Sequence, residues 1–237
     1  MQDALSNAVL PESDLSVDAE SKAPGGLPLM KLWIVGAGGY GRELFSMSGS
    51  AWGSGIDWRV AGFLNDIPDA LEGFPGMPPI LGDTDYQPRD GDLFICAIGD
   101  VTGRKSVCGK MQARGAYFIN LVQHTAMLSS FAVLGQGIIM EAFTGVGANS
   151  RIGDFTSILC HGNVAHDVTI GRFAQVSPFA AVLGGAQIGD EVMIGSHAVI
   201  LPGVKVGARA TIGAGSIVIR DVPEGASVFG NPASRIQ

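Results

Sequence analysis

Residues 164–188 read VAHDVTIGRFAQVSPFAAVLGGAQI, and an aliphatic residue stands at every sixth position: Val164, Ile170, Val176, Val182 and Ile188. The phase continues in both directions. Stepping by six from Val122 to Val218 meets 17 residues, and every one is Val, Ile, Leu or Met. Four places after each sits mostly a small residue, as at Ala126, Thr144, Ser150, Ala174, Ala186, Ala198 and Ser216, and the next place after the aliphatic is often Gly, as at Gly147, Gly171, Gly189 and Gly207. A period of six fits neither an α-helix nor a hairpin sheet. It fits a parallel β-helix in which each hexad is one short strand plus one corner, with the aliphatic side chain inward, the small one in the tight corner, and Gly supplying the backbone angles of the turn. Three hexads close a triangular coil of 18 residues, so the 102 residues from Val122 to Pro223 make between five and six coils. At the usual strand spacing that is a prism roughly 27 Å tall. A Gly-rich sandwich would need period-two alternation instead.

Upstream the pattern is different. Lys31–Gly36 reads as a strand, followed by the turn Gly36-Ala37-Gly38-Gly39-Tyr40-Gly41 and a short helix over Arg42–Met47. A strand near Arg59–Leu64, a Pro-rich loop, a buried strand over Asp92–Ile98, a helix capped by Asp100 and running to about Arg114, and a last strand over Ala116–Asn120 complete the unit. Strand and helix in alternation predict a small parallel sheet with helices on its faces. The turn satisfies G-x-G-x-x-G between a strand and a helix, a diphosphate cradle of exposed N–H groups. With only about 90 residues the unit is half a dinucleotide fold, which suits one nucleotide. Residues 1–29 carry five acids against one Lys and no periodicity, and read as a disordered extension. The expected layout is therefore 1–29 extension, 30–120 nucleotide-binding unit, 121–223 prism and 224–237 tail.

The 237 residues carry a formal charge of −7, which argues against coating a polyanion such as nucleic acid. Cys96, Cys108 and Cys160 form no C-x-x-C pair and no disulfide framework, which points to a reducing compartment. No apolar run reaches a membrane-spanning length, and the first residues lack the layout of a secretion signal, so a cytoplasmic location is expected.

Five stretches, IVGAGGYGRE at Ile34–Glu43, GFLND at Gly62–Asp66, AIGDVTGRK at Ala97–Lys105, AHDVTIG at Ala165–Gly171 and VFGNPASRI at Val228–Ile236, together with the hexads, carry a resemblance. The chain resembles the hexapeptide-repeat acyltransferases, specifically the bacterial nucleotide-sugar acetyltransferases with a Rossmann-like amino-terminal domain and the related sialic-acid O-acetyltransferases. The resemblance implies a mixed fold, a small α/β Rossmann-like domain followed by an all-β left-handed parallel β-helix, assembled as a homotrimer. It implies transfer of acetyl from acetyl-CoA to a nucleotide-linked amino sugar in a ternary complex, with no metal. His166 matches the family's catalytic base, and imidazole suits proton removal near neutral pH; Asp167 beside it would fix its tautomer. One coil on, 166 + 18 = 184, so Gly184 stacks beside His166, where relatives use a backbone N–H to hold the oxyanion.

The same resemblance implies that Gly36, Gly38, Gly39, Tyr40, Gly41, Asn65, Asp66, Gly99, Asp100 and Arg104 bind the nucleotide sugar, Tyr40 replacing a His common in that turn. Acetyl-CoA would lie between adjacent prisms along the coils after Gly184, near Gln175, with Lys205, Arg209, Arg220 and Arg235 as candidates for its phosphates. Gln175 stands where relatives can carry a second His. Three other readings stay open: sugar O-acetylation; a zinc enzyme of the γ-carbonic-anhydrase type using His161, His166 and His197, although the position two coils before His161 is Thr125, with His124 one out of phase; and a non-catalytic trimer that only binds nucleotide sugars.

Overall fold

The computed structural model describes residues 30–48, 51–52 and 58–236; the extension expected over 1–29 lies outside them. The first unit is a four-stranded parallel sheet built from β1 (Met30–Val35), β3 (Trp58–Leu64), β4 (Ile80–Gly82) and β5 (Asp92–Cys96) in the order β4-β3-β1-β5. Helix α1 spans Gly39–Ser48 and α2 spans Val101–Ala113, while β2 is the pair Ala51–Trp52. Three differences from the sequence reading stand out. Helix α1 begins at Gly39, inside the glycine turn and ahead of Arg42. The Pro-rich loop contains β4, too short and too exposed to show an apolar pattern. The strand expected over Ala116–Asn120 is a single bridge, Phe94 to Phe118.

From Leu121 the chain winds into a left-handed parallel β-helix of two-residue strands. Register is strictly one coil: Gly145 pairs with Asn163, Arg151 with Thr169 and Ser157 with Gln175. Three flat faces result. Face one runs through Ile139–Met140, Ser157–Ile158, Gln175–Val176 and Met193–Ile194; face two through Gly145–Val146, Asn163–Val164 and Ala181–Val182; face three through Arg151–Ile152, Thr169–Ile170 and Gln187–Ile188. Between them the first corner joins faces one and two, the second joins two and three, and the third returns to face one. The expected tail is part of the prism, since Ser227–Phe229 pairs in parallel with Thr211–Ile212.

The phase-six residues from Met140 to Val218 are buried in one continuous core. Leu128 departs from the expectation at 36% exposed, because faces two and three begin there with nothing above them, whereas face one is capped by β2. The small residues fill the corners, and the hydroxyls of Ser150 and Thr156 donate to the carbonyls of Ala165 (2.7 Å) and Gly171 (2.8 Å), which keeps buried polar groups paired. The glycines act differently from expectation. A Cβ on Gly147 would lie 2.7 Å from the backbone of Ala165, so Gly there permits close stacking of coils. The left-handed backbone falls two places later, on Phe143, Asn149, Phe155, His161, Asp167 and Phe173, all with φ near 60° (57–61°).

The first unit is welded to face one and the third corner. Phe94, Phe118, Phe155 and Phe173 form a run of ring contacts with centroids 5.8, 5.1 and 5.0 Å apart. Fully buried Arg104 donates to Ser157 Oγ (3.3 Å) and to the Phe173 carbonyl (3.0 Å), and Lys105 pairs with Glu191 at 2.7 Å. Glu141, 3% exposed where face one enters the first corner, accepts from the Cys160 N–H at 2.9 Å. Burial, with the nearby Glu43 adding to it, holds its carboxyl above the ordinary range against the pull of that N–H. The folded chain thus keeps a proton that the unfolded chain has released. Stability from this group is full below the ordinary value of 4.5 and declines as pH rises through it toward the raised one. Urea unfolding across this window should show that decline in the wild type and a flatter profile in Glu141→Gln; identical slopes would refute it.

Candidate active site

The second corner carries His166 and Asp167. His166 follows the inward Val164 by two places and so points out of the core, while Asp167 occupies the left-handed position with φ 58°. His166 Nδ1 lies 2.7 Å from Asp167 Oδ2, and Asn149 Nδ2, one coil earlier, donates to Asp167 Oδ1 at 3.2 Å. Those two contacts, His166 first, hold the Asp167 carboxyl below its ordinary range. Nδ1 is therefore engaged by a carboxylate, which leaves Nε2 for a reacting group. Asn149 was not anticipated, although 167 − 18 = 149 is the signal that finds it.

The next coil places Gly184 directly against the imidazole. A Cβ there would sit 2.7 Å from His166 Cε1 and 2.9 Å from Nε2, so only glycine leaves the ring its place. Gly185 N–H donates to the His166 carbonyl at 3.1 Å, whereas the Gly184 N–H has no acceptor among the described residues. Beside this pair, on face three, an open groove of ≈ 660 Å³ runs past Asp167, Gly185, Gln187, Lys205 and Asp221. Lys205 lines it; Arg220 and Arg235 are exposed near the end of the prism, and Arg209 is paired with Glu224.

The glycine turn is a second site. Chain order and strand order reverse between β1 and β5, and the loops after those two strands meet there, Ala97 N–H donating to the Val35 carbonyl at 2.8 Å. That crevice is where open parallel sheets take ligands. The glycines divide by role. A Cβ on Gly41 would fall 2.0 Å from the Gly36 carbonyl oxygen, so Gly41 serves helix packing, whereas Gly38 and Gly99 face open space. Asn65 Oδ1 accepts from Ala37 N–H (3.1 Å) and clamps the turn from below; Asp66 accepts from Thr84 N–H (2.9 Å); Asp100 caps α2 through Gly103 N–H (2.6 Å). Tyr40 turns its hydroxyl into the joint near Ser157 and Glu141, where burial drives its phenol up. Arg104, being spent on the same joint, stands apart from the crevice.

The two sites do not meet within one chain. The glycine turn rides over face one, and His166 is on the corner opposite. Gln175 also lies on face one, donating to Ser177 Oγ at 3.3 Å. His161 and His197 occupy the first corner and His166 the second, so the three histidines do not converge in one chain. Among the described residues no three His, Cys, Asp or Glu side chains are grouped to hold a metal, and no helix is long and apolar enough to cross a membrane.

Residues 31–111 match the PglD N-terminal domain family, and residues 167–201 and 185–220 match the bacterial transferase hexapeptide family. A curated relative, UDP-N-acetylbacillosamine N-acetyltransferase of Bacillus subtilis (strain 168), is 29% identical over 114 residues, covering 46% of this chain and about half (50%) of that protein's length. Among solved structures, the acetyltransferase domain of PglB from Neisseria gonorrhoeae FA1090 in complex with acetyl coenzyme A superposes with a TM-score of 0.80 at 28% identity, over 88% of this chain and 100% of that one. PerB from Caulobacter crescentus, in complex with CoA and GDP-perosamine, gives 0.78 at 28% identity, over 92% and 100%.

Gly184→Ala should leave the far-UV circular dichroism unchanged while displacing the imidazole, read as a shift of the His166 ring resonances. Unmoved resonances would mean that the ring does not depend on this gap.

Proposed function

The chain belongs to the hexapeptide-repeat acyltransferases with a PglD-type N-terminal domain, and from that membership we propose that it transfers acetyl from acetyl-CoA to the amine of a nucleotide-linked amino sugar in the cytoplasm. The observation that carries the reading is the His166–Asp167 pair standing over Gly184 at the head of an open groove. Support for the substrates comes from relatives that bind acetyl-CoA or CoA with GDP-perosamine.

In this reading the sugar nucleotide sits at the β1/β5 crevice, with its diphosphate over Gly38, Gly39 and Gly99. Acetyl-CoA lies along face three, its phosphates near Lys205, Arg220 or Arg235. Both are bound before reaction, since no side chain of the site offers itself as an acyl carrier. The amine attacks the thioester carbonyl while His166 Nε2 takes its proton. Asp167, on Nδ1, orients the ring and steadies the imidazolium. The tetrahedral oxyanion accepts a hydrogen bond from Gly184 N–H, a type of contact worth about 10²–10³ in rate. The carbon–sulfur bond then breaks, and the imidazolium returns its proton to the leaving thiolate, giving CoA and the N-acetyl sugar.

Because the crevice rides on face one and His166 stands at the opposite corner, the two substrates meet only when His166 of one chain faces the crevice of another. We therefore take the working form to be a homotrimer, with each transfer site at a seam. His166→Ala should lower kcat/KM by about 10²–10⁴ with folding intact, measured as CoA thiol release against UDP-, GDP- and dTDP-linked amino sugars. Undiminished release in the variant would remove His166 from the mechanism, and nucleotide-sugar binding without any release in the wild type would leave a binding protein.

A further inference from the structure

Face two opens a recess outward, beside the second corner. In coil register its outward positions are Met127, Gly145, Asn163 and Ala181 in one column, and Ser129, Gly147 and Ala165 in the next. Two side chains are missing from the middle of it, at Gly145 and Gly147, and the result is a hollow of ≈ 610 Å³. Gly147 lies against the peptide that joins Ala165 to His166, since a Cβ there would fall 2.7 Å from the Ala165 carbonyl carbon and 2.7 Å from the His166 nitrogen. His166 therefore stands on a ridge between two depressions, this one on face two and the ≈ 660 Å³ groove past Asp167 and Gly185 on face three.

The two depressions differ in chemistry. Charged side chains line the groove, among them Asp167, Lys205 and Asp221. None lines the recess, and no strand of face two, from Met127–Leu128 to Ile217–Val218, carries one. Its polar side chains are Ser129 and Asn163. Ser129 Oγ accepts from the Phe131 N–H at 3.3 Å, whereas the exposed Asn163 amide makes no hydrogen bond with another described residue. That amide lies in the gap left by Gly145, where a Cβ would come 2.6 Å from Nδ2. A mostly apolar hollow with one amide that can both donate and accept suits a polar ring without charge.

We infer that this recess seats the sugar ring of the acceptor, that Asn163 hydrogen-bonds one of its hydroxyls, and that the acceptor is in consequence an amino sugar without an acid group. The inference rests on the proposed transfer between chains, in which the thioester occupies the face-three groove. The acceptor then reaches His166 Nε2 from the other side of the ridge, which is the recess. A nucleotide sugar held by its diphosphate in a second chain's crevice extends only its sugar toward this ridge. A carboxylate carried into the recess would lose water and meet no cation there, a cost that an uncharged ring escapes. Sugar and CoA thus lie on different faces, and loss of the Asn163 amide acts on one substrate alone.

Kinetics of CoA release by the full chain test this, with the UDP-, GDP- or dTDP-linked amino sugar that the wild type acetylates fastest. Asn163→Ala should raise the KM for that sugar nucleotide about 3–10-fold and leave the KM for acetyl-CoA in place, with unchanged circular dichroism. Gly145→Ala, whose methyl displaces the amide, should do the same. As competitive inhibitors of the wild type, glucose on the same nucleotide should bind about tenfold or more tightly than its uronic acid, and Asn163→Lys should narrow that gap. A sugar KM unchanged in both Asn163→Ala and Gly145→Ala, or a rise in the acetyl-CoA KM instead, overturns the recess. Equal inhibition by the glucose and the uronic acid, or a gap that Asn163→Lys leaves intact, overturns the exclusion of acids. No release by the wild type from any of the sugar nucleotides overturns the transfer reading itself.

Discussion

The contact on which this molecule depends is the stacking of one backbone coil on the next at a separation of 18 residues. Gly147 over Ala165 and Gly153 over Gly171 approach so closely that a methyl group would collide with backbone atoms. That approach lets two-residue strands hydrogen-bond continuously, and it forces every residue to stand over the residue one coil away. With so little strand per corner, no side chain can drift in phase without exposing its whole column. The unbroken aliphatic series from Met140 to Val218 is the consequence.

The same stacking builds the site. Asn149, Asp167 and Gly185 share one column, and His166 and Gly184 share the next. The proposed base, a carboxylate on its Nδ1 and a backbone N–H thereby converge without a long loop. Placement by coil stacking of this kind is what electrostatic and proton-transfer catalysis require. The prism also dictates what one chain cannot do alone. Its aromatic run and the buried Arg104 fix the first unit on the side away from His166, so the proposed transfer needs two chains.

How much of this was legible in the sequence follows from which forces are periodic. Core packing repeats every six residues, so the prism, its coil length and the neighbourhood of His166 and Gly184 could be read directly. The left-handed positions leave no such mark, because Phe143, His161 and Asp167 obey no common composition; the glycines, which do repeat, mark close approach instead. Strand β4 was invisible because three half-exposed residues show no alternation. Arg104 was assigned to the nucleotide by its motif, yet its guanidinium is consumed at the joint between the two units, a tertiary contact that no local pattern encodes. Glu141 was missed for the same reason, although a lone acid among the small residues of a corner is its trace.

Whether acetyl transfer happens at a seam shared by two chains is decided by complementation between two inactive variants. A chain lacking the base, His166→Ala, is mixed with a chain whose crevice is blocked by Gly38→Phe, a side chain that enters open space and leaves the fold alone. After dissociation and reassembly together, CoA release should be restored, because some seams pair an intact His166 with an intact crevice. Release no greater than the sum of the two separate variants, from a mixture shown to have exchanged chains, would contradict it.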